Sequence, residues 1–414
     1  MSIEPAMSTP AATLLAAIEN TDAAAVAEVL ALHPELKARL DEALPGVGFG
    51  QTALLAAVQR TSREVVDVLL RAGANINQKS HWWAGPFHVL DEAWRTPWLP
   101  SFLIGRGAVL EIHHAVRLGW EDEVRRILSE DPGAIRARGG DGQLPLHFAQ
   151  TVGMAEYLLD RGADIDARDV DHESTAAQWM VRDRPDVARA LVNRGGTTDI
   201  LMASALGDVV SVTRILDADP GAVRTAVNAA HFPMRDPRAG GSIYIWTLGA
   251  NKGAHTIARE FGHQDVWRAL MERTPEAMQL AVACEVGDET LVTQLLAARP
   301  DLAASLTPDD RRKLPDAAQD NNPAAVRRML EAGWPADARG QHDATALHWA
   351  GFHGNPEMAR VLLEHGAPVN LKGDRFDGTP LDWALHGAEH REQCSTGDYP
   401  GVIAALRAAG GRSR

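Results

Sequence analysis

In EMARVLLEHG the apolar residues Met358, Val361, Leu362 and Leu363 fall on a helical period, and Gly366 follows as a left-handed stop. The twelve residues before it, from Thr345, hold a shorter apolar run opened by a threonine suited to cap a helix. Together TALHWAGFHGNPEMARVLLEHGAPVN predicts a short helix, a turn, a second helix and an extended exit. QTALLAAVQRTSREVVDVLLRAGANIN (Gln51–Asn77) repeats the pattern element by element. LPLHFAQTVGMAEYLLDRGADIDARD (Leu144–Asp169) repeats it with a shortened middle. GTPLDWALHG restarts it, with Thr379 placed 34 residues after Thr345. A second variant closes with proline, as in TDAAAVAEVLALHPEL, GWEDEVRRILSEDPGAI, GDVVSVTRILDADPGAV and GDETLVTQLLAARPDLA.

One such helix pair cannot bury both of its faces, so neighbours must stack into a continuous core. The periodicity predicts an all-α solenoid of about twelve helix-turn-helix units joined by short finger hairpins or loops, running as one array over 1–414. The threonine heads, the Gly-Ala exits and the spacing resemble the ankyrin repeat. The resemblance covers nearly the whole chain, most specifically 51–78, 141–168 and 342–371, and more weakly 80–110 and 225–253. It implies a curved stack of helix pairs whose concave side and finger tips hold partners, and it implies binding rather than catalysis. It also implies that His147 and His348 bond backbone between units.

Composition narrows the partners. With 55 acidic against 41 basic side chains the net charge is −14, and no basic cluster is present to displace counterions from nucleic acid. Neither nucleic acid nor an anionic membrane surface is an expected partner. Two cysteines far apart, Cys284 and Cys394, make no disulfide framework. No basic segment precedes the first apolar run, and no run is long enough to span a bilayer, so a cytoplasmic protein is expected.

Candidate chemistry lies where the chain departs from its own repeat. The first departure, Ser80–Phe102, carries four of the tryptophans. Trp82 and Trp83 fall where a finger tip belongs and are expected to be exposed anchors. Trp94, Trp98 and Phe102 read equally well as core filling. The second departure arises because Gly207 and Gly262 are 55 residues apart, leaving room for about 22 extra residues around 225–253. The third is an insertion at 387–398 inside the last unit. These place His88, His231, Arg235, Tyr244, Trp246, Phe352, His353 and His386 among the expected binding residues, beside Trp82 and Trp83. Phe148, Trp179, Trp349 and Trp383 recur at one repeat position and read as scaffold.

No cofactor and no metal are expected. His386, His390 and Cys394, spaced four apart, would share one face of an unbroken helix and are the candidate ligands, but Gly387 sits inside the run and the insertion argues against a continuous helix. No nucleophile elbow, phosphate loop or dinucleotide fingerprint is present. The expected function is therefore a scaffold that recognises a protein, a peptide or a small molecule. The alternative is an enzyme or a small-molecule or metal pocket built by the insertions.

Overall fold

The computed structural model describes residues 9–373, 377–390 and 397–414, and among them the regular elements are all helices. Only isolated antiparallel bridges, Arg168 to Thr175, Ala226 to Gly253 and Arg339 to Thr345, mark the fingers. No described helix is long and apolar enough to cross a membrane. The array expected over 1–414 divides into two compact units: Met1–Met202 with Val227–Ala250, and Ala203–Ala226 with Asn251–Arg414.

The local rules of each helix pair are visible in Ala53–Gln59 and Arg63–Arg71. The hydroxyls of Thr52 and Ser62 accept the backbone N–H groups of Leu55 and Val65, which caps both helices. Thr61, at φ 55, makes the turn between them. Asn321, Gly119, Gly207, Gly287 and Gly354 serve as left-handed residues at other helix turns, a conformation that glycine and asparagine adopt at least cost. Val65, Val66 and Leu69 then face inward and are fully buried.

The first unit has a core running from Leu14 to Ala108 through Leu55, Val66, Leu90 and Leu103. In its degenerate segment the helices shrink to Val89–Ala93 and Leu99–Ile104. Trp98 and Phe102 pack on that core, edge to face at 5.4 Å, with the guanidinium of Arg63 3.9 Å above the Trp98 ring. Trp94 is exposed.

In the second unit a core extends from Leu280 to Leu406 and includes Trp334, Trp349 and Trp383. His348 shows the repeat's own bonding: Nδ1 accepts the Thr345 N–H at 3.1 Å, and Nε2 reaches the Gly378 carbonyl at 3.2 Å. His147 does the same with Leu144 and Ser174 in the first unit. Burial lowers both histidines, His348 to about 4, so they stay neutral.

Gly387 lies inside the helix Pro380–Glu389, which ends before His390. It is a point of close approach: a Cβ there would lie 2.6 Å from the Phe352 carbonyl oxygen and 2.7 Å from the Tyr399 ring.

Candidate functional site

Three finger tips share one geometry. Phe49, Asp141 and His342 each stand three residues before a helix head and each adopt positive φ, at 59°, 56° and 61°. In each case the tip projects from a three-residue turn, Gly48–Gly50, Gly140–Gly142 or Gln341–Asp343. The sequence reading missed all three. Their shared offset from the helix head was the signal that could have found them.

In the first unit the Trp82–Trp83 finger lies across the tips at 49 and 141. Phe49 meets Trp82 edge to face at 4.9 Å, and Trp82 Nε1 donates to Asp141 Oδ1 at 3.0 Å. The Asp141 N–H bonds the Gly85 carbonyl at 3.1 Å, and a Cβ on Gly85 would sit 2.6 Å from the Gly139 carbonyl oxygen. Burial, together with the Asp171 charge, pushes the Asp141 carboxyl up to about 6. Trp82 and Trp83 are thus half-buried, not the free exposed pair expected from the sequence. Packing of the two fingers is the reason.

The second departure folds onto the same region. Glu173 Oε1 accepts the N–H groups of Arg235 and Asp236, both at 2.9 Å. His172 Nδ1 lies 2.7 Å from the Gly241 carbonyl, and Ser174 Oγ accepts the Ile243 N–H at 3.2 Å. The guanidinium of Arg238 stands 4.2 Å over the Trp83 ring, so the first two departures meet. Between finger and insertion lies a recess of about 660 Å³, lined by Arg168, His172, Glu173, His231, Phe232 and Arg235 among others. Its carboxylates are engaged internally: Asp169 holds Trp179 Nε1 at 2.7 Å, and Asp236 pairs with Arg238 at 2.7 Å. Ser174 Oγ donates to the His172 carbonyl at 2.7 Å, so this hydroxyl serves the loop. The recess is built to hold a ligand by shape and hydrogen bonds.

His231 and Arg235 line this recess, and Trp246 is 70% exposed on the turn Ile245–Gly249. Two other candidates are corrected. Tyr244 is fully buried, and its hydroxyl donates to Asp199 Oδ2 at 2.8 Å while Asp199 caps the helix Ile200–Leu206. His88 is buried too. It takes the threonine's place at a helix head, with Nδ1 accepting the Leu90 N–H and Nε2 3.2 Å from Asn77 Oδ1. Both residues hold structure because no surface of either reaches solvent.

The second unit carries an aromatic cavity of about 490 Å³, lined by His342, Trp349, Phe352, Gly378, Asp382, Trp383, His386 and Arg414. Trp349 and Trp383 meet edge to face at 5.1 Å, and Phe352 closes on them at 5.8 and 6.2 Å. The two tryptophans are 8% exposed, as scaffold would be, yet they also form the cavity wall. The Trp349 Nε1–H is buried with no hydrogen-bond partner among the described residues. Burial pushes the Asp382 carboxyl up. Its bonds from the Thr379 and Arg414 N–H groups and the Thr379 hydroxyl more than offset that, and it stays ionised. His353 lies beside this wall rather than in it, bonded at Nε2 to the Gln319 carbonyl at 2.8 Å and stacked on Trp349. The rings of His386 and His390 lie 4.2 Å apart, tilted by 34°, with His390 Nδ1 on the His386 carbonyl, and Cys394 lies outside the described residues.

A stack of capped helix pairs with recesses at its finger tips defines a helical-repeat recognition scaffold. Its segments 280–373 and 314–394 match the family model described as "Ankyrin repeats (3 copies)", and 49–81 and 141–170 match "Ankyrin repeat". The chain carries ankyrin repeats in these segments. It is similar to the E3 ubiquitin-protein ligase KEG of Arabidopsis thaliana, 24% identical over 79% of this chain and 17% of that one. It is also similar to the palmitoyltransferase Hip14 of Drosophila melanogaster, 32% identical over 22% of this chain and 13% of that one. The chain thus spans less than a fifth of either relative's length. A likeness to the human ASB11 ankyrin repeat domain has a TM-score of 0.26 at 17% identity, over 73% of this chain and 99% of that one.

Proposed function

We propose that the protein recognises a partner polypeptide, seating one of its side chains in the cavity walled by Trp349, Phe352 and Trp383. The observation that carries this is the cavity itself, about 490 Å³ and walled by three aromatic rings in mutual edge-to-face contact. Three rings in edge-to-face contact offer a rigid apolar socket that loses little entropy when filled. The recess of the first unit, with His231 and Arg235 on its rim and Trp246 exposed on the same insertion, supplies a second contact surface. No covalent step is needed.

The test is selection of a peptide library displayed on phage against the full chain, followed by affinity measurement on the variants. Phe352 is half-buried, so Phe352→Ala leaves the fold intact and is expected to weaken the selected peptides by at least about tenfold, the scale of a binding hot spot. Peptides that bind Phe352→Ala as tightly as the parent protein would refute the socket.

A further inference from the structure

Outside both recesses, the first unit buries a cluster of donors that the repeat does not require. Two consecutive helix heads carry it. In His88-Val89-Leu90-Asp91, Asp91 stands at the third helical position that His348 occupies in Thr345-Ala346-Leu347-His348. In Glu111-Ile112-His113-His114, His114 keeps that position, and His113 replaces the core leucine beside it. Asp91, His113 and His114 are 6%, 1% and 1% exposed, and their donor atoms lie within 4.8 Å of one another.

The contacts inside the cluster are too long for charge-assisted hydrogen bonds, which close to about 2.7–2.9 Å. His114 Nε2 is 3.4 Å from Asp91 Oδ1, His113 Nε2 is 3.8 Å from the same oxygen, and Glu111 Oε2 is 3.4 Å from His113 Nε2. Metal bonds of about 2.0–2.2 Å set adjacent donors of a tetrahedron about 3.3–3.6 Å apart. The 3.4 Å separations fall in that range, and the 3.8 Å one lies just outside it. His114 Nε2 and His113 Nδ1 have no hydrogen-bond partner among the described residues. The other carboxylate oxygen of Asp91 is fixed by the His88 N–H at 2.8 Å, which aims Oδ1 at the rings.

We propose that Asp91, His113 and His114 bind a divalent cation of the zinc type. Two imidazoles with a carboxylate suit zinc and its first-row neighbours, whereas calcium and magnesium take all-oxygen shells. Glu111 is about one-third exposed and pairs with Lys79 at 2.7 Å, which makes this side the way in. His114 Nδ1 accepts the Glu111 N–H at 3.2 Å, which puts the ring's proton on Nε2, facing Asp91. Coordination at Nε2 moves that proton to Nδ1 and breaks this cap. Zinc binding therefore flips the His114 tautomer, a signature that a purely structural role would lack.

The experiment titrates the chelator-stripped full chain with zinc chloride by calorimetry and with cobalt chloride by visible absorption. One equivalent and the strong bands of tetrahedral cobalt are expected. His113→Leu restores the leucine that other heads carry, so it should fold, as circular dichroism will verify, and lose more than about 100-fold in affinity. His386→Ala with His390→Ala should bind as the parent does. Unchanged zinc uptake by His113→Leu overturns the site, as does loss of uptake in the His386/His390 variant. If His113→Leu fails to fold, nitrogen shifts of the parent's His114 decide: a ring that stays protonated at Nε2 through one equivalent of zinc overturns it.

Discussion

Gly387 and Gly153 are both helical glycines, and their surroundings predict opposite outcomes for the same substitution. A methyl at Gly387 would press on the Phe352 carbonyl and the Tyr399 ring, so Gly387→Ala should destabilise by about 1–3 kcal/mol. At Gly153, in the helix Val152–Asp160, a methyl meets nothing within 4 Å, and Gly153→Ala should stabilise by about 0.5–1 kcal/mol. Urea titrations of both variants measure this. His255 predicts a pH dependence. Burial, with help from the Lys313 charge, lowers it from 6.5 to about 3, and it bonds Thr274 Oγ1 at 2.7 Å. The unfolded chain protonates this ring below pH 6.5 while the folded one does not until about 3, so its contribution is present above 6.5 and lost as pH falls. The slope for one such group is at most about 1.4 kcal/mol per pH unit. His255→Gln should therefore lose less stability than the parent between pH 7 and pH 5, read from urea midpoints. Single residues were also where the sequence reading was weakest. His88 and Tyr244 looked like ligand-binding polar residues, but burial depends on which neighbours fold over them, and no local pattern encodes that.

At the scale of elements the repeat was legible because caps and turns are local. Thr52, Thr175 and Thr379 cap the helices they head, and Gly366 takes φ 82 where the second helix stops. The insertion around 225–253 was visible only as surplus length. Its path was not, because Glu173, Asp171 and Ser174 hold it from about 60–70 residues away in sequence. Tyr244 is the apolar end of that attachment. Tyr244→Phe removes the bond to Asp199 inside the core and should cost about 1–2 kcal/mol, measured by urea unfolding, with peptide affinity unchanged. A loss of affinity without a loss of stability would instead place Tyr244 in the recognition surface.

For the molecule as a whole, helix-period apolar spacing and a recurring threonine head were enough to specify a helical-repeat protein, because stacking is set by the same few positions in every unit. The meeting of separate departures was not legible. Trp83 and Arg238 are brought together only by the tertiary fold, as are His342, Trp349 and His386 around the aromatic cavity. The recurrence of Trp349 and Trp383 marked them as packed residues, yet a packed ring can still present one face to a cavity. Partner recognition through that cavity has a direct measurement. The chain has 11 tryptophans, so the indole N–H signals of the nitrogen-15-labelled protein can be assigned by substitution and followed as a selected peptide is added. The Trp349 and Trp383 indole signals are expected to shift as a side chain fills the cavity their rings wall, while the Trp267 signal in the helix Gln264–Arg273 stays in place. Saturating peptide binding with the Trp349 signal unmoved would contradict it.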